Sequence, residues 1–131
     1  VHYADTGVPH VVVPVDDVEA ADVVGLGRQL RHHPEFSPRG ANVNFYQILK
    51  PGSIRVRTYE RGVEDETLAC GTGVAACAWV THHRHGFSSP VRVRVQGGPT
   101  LKVYFDHDSG TIAHLKLHGP AEFVYAGEID V

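Results

Sequence analysis

From Thr72 to about Arg84 the chain has a helical stretch with no polar face. Val74, Ala75, Ala76, Cys77, Ala78, Trp79 and Val80 follow one another without a charged residue. A helix that is apolar on every side has to be surrounded. Surface helices of a domain this small do not read this way, and almost everything after the helix reads as strand. The inference is a helix wrapped by sheet. His82, His83, Arg84 and His85 fall in its last turn, where cations suit the helix dipole, and Gly86 suits its C-cap.

The wrapping strands are legible by their period of two. Val8 to Val15 is a β-branched run, and the turn-like Asp5-Thr6-Gly7 precedes it. Pro14 points to an edge or a bulge in that strand. Asn42 to Leu49 is a second strand and Pro51-Gly52 a turn. In Ser53 to Tyr59, Ile54, Val56 and Thr58 alternate with Arg55, Arg57 and Tyr59. Val91 to Val95 and Leu101 to Phe105 alternate on either side of a Gly97-Gly98 turn. After a turn at Asp106 to Gly110 come strands at Ile112 to Leu117 and Ala121 to Tyr125, separated by Gly119-Pro120. Val18 to His33 carries Val23, Val24, Leu26 and Leu30 at helical spacing, which predicts an amphipathic helix that Asp16-Asp17 can cap and Pro34 stops. Gly25 and Gly27 weaken it by about 1 kcal/mol each relative to Ala. Pro38-Arg39-Gly40 reads as a loop.

The expected fold is therefore one α+β domain over residues 1–131. It has seven or eight strands in a mostly antiparallel sheet, curled around one buried central helix, with one further amphipathic helix.

The segment leading into the buried helix has the parts of a site. It runs Glu60-Arg61-Gly62-Val63-Glu64-Asp65-Glu66-Thr67-Leu68-Ala69-Cys70-Gly71-Thr72-Gly73. A thiol at a helix N-terminus has its pKa lowered from about 8.5, so Cys70 can both give and take a proton near neutral pH. The backbone N–H groups of Gly71, Thr72 and Gly73 lack intrahelical acceptors and suit a carboxylate. They would also stabilise charge that builds on that carboxylate as a Cα proton leaves. Glu60 can bind an α-ammonium group, and Arg61 can clamp a second carboxylate. These parts fit a dianionic amino acid.

Bulk properties narrow the classes. Hydrophobic residues make up 42% of the chain, charged residues 21%, and the formal net charge is −3. That balance argues against a nucleic-acid or membrane-surface partner, since both favour a basic face. No apolar run approaches the roughly 20 residues of a membrane span. On one helix, Cys70 and Cys77 would stand seven residues apart, about 10.5 Å along the axis, too far for a disulfide. Two unpaired thiols fit a reducing cytoplasm, and Cys77 fits the core as a small hydrophobe. The His82 to His85 cluster lacks the ordered ligand set of a structural zinc site. The chain starts at Val1 and contains no Met, which is what a piece of a longer protein would show.

The stretch from Glu60 to Gly73 resembles diaminopimelate epimerase, far beyond a bare Cys-Gly-Thr-Gly. Gly7-Val8-Pro9-His10 resembles the strand that opens that family's second half, and Asn42-Val43-Asn44-Phe45 its next pocket strand. The resemblance covers the whole chain but only the C-terminal half of the family's enzyme. It implies interconversion of LL- and meso-2,6-diaminopimelate in lysine and peptidoglycan precursor synthesis, without pyridoxal phosphate, metal or other cofactor. It implies two similar domains with the site between them and one catalytic cysteine from each, acting on opposite faces of the Cα. Cys70 matches the second-domain cysteine. Gly71 and Thr72 match the donors to the reacting carboxylate, and Glu60 the residue near the reacting amino group. Arg61 and Asn44 match residues at the distal carboxylate and amine, and His10 a histidine beside the site.

Two departures stand out. Val8 replaces an Asn that many members use at the distal end of the substrate. The first-domain cysteine is absent, and Cys77 cannot replace it from along the same helix. The chain alone is therefore expected not to epimerise diaminopimelate. Its expected partners are the N-terminal domain of the same enzyme or a second copy of itself, docked on an exposed cleft face. The rival readings are a proline-racemase-like isomerase, which lacks the Glu60 to Thr67 run and has no use for Arg61, and a non-catalytic amino-acid-binding module. A redox-sensing thiol is a third, and it would need a resolving partner near Cys70.

Overall fold

The computed structural model describes residues 2–5, 9–34, 40–67, 71–96, 100–108, 111–118 and 125–130. Nine strands are present among them: β1 (His2–Asp5), β2 (Pro9–Pro14), β3 (Asn42–Lys50), β4 (Ser53–Glu60), β5 (Asp65–Thr67), β6 (Val91–Arg94), β7 (Thr100–Asp108), β8 (Thr111–His118) and β9 (Tyr125–Asp130). Their order is β3-β2-β1-β9-β8-β7-β6-β4-β5, and β3 also pairs with β4. That last pairing closes eight strands into a ring, with β5 attached to β4 outside it. The pairings are antiparallel except β2 with β3 and β4 with β6.

Helix α2 (Gly71–His85) fills the ring. Every residue from Gly73 to Thr81 is buried. Around it lie Val12, Tyr46, Ile54, Val56, Val91, Val93, Val103 and Phe105, all contributed by strands. The apolar helix thus finds sheet on every side, as its sequence requires. Thr81, the polar residue in this core, donates its hydroxyl to the carbonyls of Cys77 and Ala78 at 3.0 Å each. Gly86 ends the helix at a φ of 73°, and its N–H donates to His82 O at 2.9 Å.

The second helical segment is shorter than its periodicity predicts. The stretch from Val18 breaks into a 3-10 turn (Val18–Ala20) and helix α1 (Val23–Arg31). Two aspartates cause the break. Asp17 caps the turn through Glu19 N, and Asp22 starts a new helix by accepting from Gly25 N at 3.0 Å. α1 packs outside the ring, over Val11, Val43, Phe45 and Tyr59. Its buried positions are Val23 and Gly27, whereas Leu26 is 45% exposed. Gly27 is there for close approach: a Cβ would stand 2.5 Å from Tyr59 Cβ.

Other expectations need correction. β2 is an interior strand, because β1 pairs on its other side. Pro14 is tolerated because it ends β2, beyond the β1 register that runs from Pro9 to Val12. The last described strand is Tyr125–Asp130, which shares Tyr125 with the strand expected at Ala121 to Tyr125. Of that predicted strand, 121–124 lie outside the described residues, as do Gly97-Gly98, Gly119-Pro120, Ser109-Gly110 and Pro38-Arg39. β7 continues through Asp106 to Asp108, residues expected in a turn. β1 and β5 were not legible: each is a short run of three or four residues with little alternation.

Candidate active site at the start of α2

Alternation along β2, β3 and β4 puts His10 and Val12, Asn44 and Tyr46, and Val56 and Thr58 on the inward face. This face is apolar around the middle of α2 and turns polar where α2 begins. His10 and Asn44 are fully buried, and Asn42 and Thr58 are 4% and 3% exposed. Burial of so many polar groups demands hydrogen bonds, and those of Thr58, Asn44 and His10 form one chain. The Thr58 hydroxyl donates to Asn44 Oδ1 at 2.9 Å. Asn44 Nδ2 donates to His10 Nδ1 at 3.0 Å and to the Val11 carbonyl at 3.3 Å. His10 Nε2 lies 2.9 Å from Thr72 Oγ1, in the first turn of α2. Gly73 keeps this approach open, because a Cβ there would collide with Asn44 Oδ1.

Of the predicted site residues, the structure brings His10, Asn44 and Thr72 together. Gly71 starts α2 beside them. The Asn44 carboxamide is committed at both ends to protein groups and reaches α2 through His10. Glu60 and Arg61 stand at the end of β4, half-buried. Arg61 is positioned by its backbone, whose N–H donates to Asn42 Oδ1 at 2.6 Å. Cys70 and Val8 lie outside the described residues. Cys77 is fully buried in the core beside α2's other apolar residues.

The acidic residues after Arg61 hold the hairpin rather than line a pocket. Gly62 and Glu64 take positive φ values of 92° and 59° at the β4–β5 turn. The Glu64 carboxylate accepts from Gly62 N at 3.0 Å, from Arg31 Nε at 3.1 Å and from Tyr59 OH at 3.3 Å. The first of these bonds does most to hold its pKa below the usual carboxylate range, and Arg31 adds to it. Glu66 accepts two bonds from Arg57, at 2.6 and 2.8 Å. α1 and the 3-10 turn thereby grip the segment that carries Arg61 and leads towards Cys70.

Asn42 and Thr58 were missed by the sequence reading. Their signal was strand parity: both share a face with Asn44. A cavity of about 580 Å³ opens elsewhere, at the C-terminal end of α2, with Tyr46, Gln47, Arg84 and His85 among its walls. It shares no residue with the polar chain. The histidine run there is used in packing: His82 Nδ1 donates to Phe87 O at 2.7 Å, and His85 Nε2 lies 3.2 Å from Tyr46 OH. Among the described residues no helix is long and apolar enough to cross a membrane.

Comparison with known proteins agrees with this arrangement. The family model of diaminopimelate epimerase matches residues 2–124. The diaminopimelate epimerase of Aquifex aeolicus is 47% identical over 128 residues, covering 97% of this chain and 45% of that protein. That of Chlorobaculum tepidum is 45% identical over 129 residues, covering 98% and 49%. The chain thus spans about half the length of these relatives. A solved structure described as a predicted epimerase from Pseudomonas aeruginosa aligns with a TM-score of 0.58 and 19% identity, over 86% of this chain and 37% of that one. This last likeness supports the fold. A closed sheet around an apolar helix, a buried polar chain at that helix's start and a match over nearly every residue lead to one statement: the chain belongs to the diaminopimelate epimerase family.

Proposed function

We propose that this chain is one wall of a cofactor-independent diaminopimelate epimerase. The observation that carries the reading is the family match over residues 2–124, which takes in Glu60 to Gly73 and the first turn of a helix that the sheet surrounds. The reacting carboxylate of the substrate sits on the Gly71 and Thr72 N–H groups, where the helix dipole favours an anion. Glu60 faces the reacting ammonium, and Arg61 takes the distal carboxylate.

Inversion at the Cα needs a base on one face and an acid on the other. A thiolate removes the Cα proton and becomes a thiol. A second thiol delivers its own proton to the opposite face and becomes a thiolate. Cys70 is one of the pair, and its helix N-terminus keeps both its forms accessible. The facing thiol belongs to a second, similar domain that this chain does not contain. Asn44, His10 and Thr58 act behind the carboxylate site, by holding Thr72.

The test uses the chain and its Cys70→Ala variant. Alkylation by iodoacetamide should label Cys70, and LL-diaminopimelate should protect it, while proline should not. Equal labelling with and without diaminopimelate would favour a binding-incompetent module and overturn the reading. Protection by proline instead would point to a racemase of imino acids. In D2O the wild-type chain alone should show no exchange at the diaminopimelate Cα. Measurable epimerisation by the 131-residue chain would remove the need for a second domain.

A further inference from the structure

Arg61 stands between two peptide groups, and a side chain holds each of them. Its own N–H donates to Asn42 Oδ1 of β3 at 2.6 Å. The next N–H, that of Gly62, donates to Glu64 Oε2 at 3.0 Å. Glu64 N donates to Glu60 O at 2.9 Å and closes the turn behind them. A residue has two soft backbone angles, and orienting the peptide planes on either side of it sets both. The direction in which Arg61 leaves the backbone is therefore set by Asn42 on one side and Glu64 on the other.

The two holders are secured differently. Asn42 is 4% exposed and belongs to the closed sheet. Glu64 lies in the turn itself, at a left-handed φ of 59°, and its support comes from elsewhere. Arg31 of α1 brings Nε and Nη2 to Glu64 Oε2 at 3.1 Å each. Tyr59 OH donates to Oε1 at 3.3 Å, and His32 Nε2 lies 3.8 Å from the same oxygen. An ion pair with a carboxylate 39% exposed adds little to stability. Charge-assisted bonds also fix geometry, and that is what this one supplies.

We propose that Glu64 is a positioning residue: its carboxylate, steadied by Arg31 from α1, pins the Gly62 N–H and so aims Arg61 at the distal carboxylate of the substrate. The substrate end rests on the assignment of Arg61 to that carboxylate; the clamp on the turn does not. Through it α1, a helix outside the ring, takes part in selecting a dianionic amino acid.

Three variants of the chain test this. Glu64→Gly accepts the left-handed backbone and removes the carboxylate. Glu64→Gln keeps an oxygen for Gly62 and Arg31, and its NH2 can donate to the Tyr59 hydroxyl. Arg61→Gln removes the guanidinium. The readout is the ligand concentration that half-protects Cys70 from iodoacetamide. It is taken for LL-diaminopimelate and for L-lysine, which lacks the distal carboxylate. Glu64→Gly should raise the diaminopimelate value about tenfold, as the loss of a bond to a charged group would, and leave the lysine value unchanged. Glu64→Gln should match wild type on both. Added to Arg61→Gln, Glu64→Gly should cost nothing further. Equal losses for the two ligands, or a full further loss in the Arg61→Gln background, would make Glu64 a prop of the fold and overturn the proposal. Amide exchange reads the clamp alone: Gly62 N–H should be slow in wild type and Glu64→Gln and faster in Glu64→Gly. Unchanged Gly62 exchange in Glu64→Gly overturns the clamp. If Gly62 exchange behaves as expected but Arg61→Gln is protected by diaminopimelate as well as wild type is, the assignment of Arg61 fails. The aiming role falls with it, and the clamp alone stands.

Discussion

Gly73 lies so close to Asn44 that a methyl group on it would run into the carboxamide oxygen, and the same methyl would stand 3.4 Å from His10 Cε1. Inside an ordinary helix, Gly→Ala gains about 1 kcal/mol. Here the opposite sign is expected. The Asn44 carboxamide is held by Thr58, Val11 O and His10 and cannot step aside without breaking a buried bond. Overpacking of this kind costs about 1–3 kcal/mol. Gly73→Ala should therefore lose up to about 2 kcal/mol in urea denaturation, net of the propensity gain. A variant as stable as wild type, or more so, would show that Asn44 is not fixed.

The alanines of α2 set how closely the ring can close. Ala75, Ala76 and Ala78 are fully buried with strand side chains around them. Interiors are packed to crystal-like density and have no slack for added methylenes. Ala76→Leu should destabilise by at least about 1–3 kcal/mol despite a favourable helix former. The check is the shift of the denaturation midpoint at unchanged m-value. A neutral result would mean that the ring is wider than its contacts indicate.

Arg57 does three jobs that a lysine cannot combine. Its guanidinium bonds both Glu66 oxygens and donates from Nη1 to the Val18 carbonyl at 2.9 Å, with Glu19 O at 3.3 Å. Both charged side chains are under a fifth exposed. Arg57→Lys keeps the charge and loses the fork. The expected cost is about 1–3 kcal/mol, the range of hydrogen bonds to charged groups in partly buried settings. Amide exchange should accelerate in the 3-10 turn at Val18–Ala20 before it does in α2. Equal exchange in both would place the loss elsewhere.

Much of this fold could be read because burial on α2 is complete. An apolar helix leaves one architecture, and period-two strands supply it. What could not be read depended on pairs distant in sequence. Asp22 looks like any polar residue in an amphipathic pattern until its side chain is seen to start α1. β5 is three residues long and gains its identity from Thr58, Tyr59 and Glu60 across the hairpin. At the site, the resemblance named His10 and Thr72, but their bond spans 62 positions. Asn44 was expected to face substrate. Its full burial and its bonds to His10 and Thr58 are what sequence cannot give. Glu64 and Glu66 read as part of an acidic turn, and only α1 and Arg57 reveal them as anchors.

Glu64 supplies a prediction with a sign that can be worked out. Its carboxylate accepts from Gly62 N and is paired with Arg31, and these contacts hold its pKa below the usual carboxylate range. A group with a depressed folded pKa contributes stability that is complete above its unfolded pKa, about 4.3 for Glu. That contribution is lost as the pH falls through the lower, folded value. Glu64→Gln can keep the geometry and one acceptor but does not titrate. Wild type should therefore exceed Glu64→Gln in stability at pH 7. The gap should hold down to about pH 4.3 and close below it. The carboxylate is 39% exposed, so added salt should also narrow the gap at neutral pH. Denaturation curves of both proteins from pH 7 to pH 3 read this directly. A gap that stays constant across that range would mean the backbone turn, with its left-handed Glu64, carries the stabilisation and the charge does not.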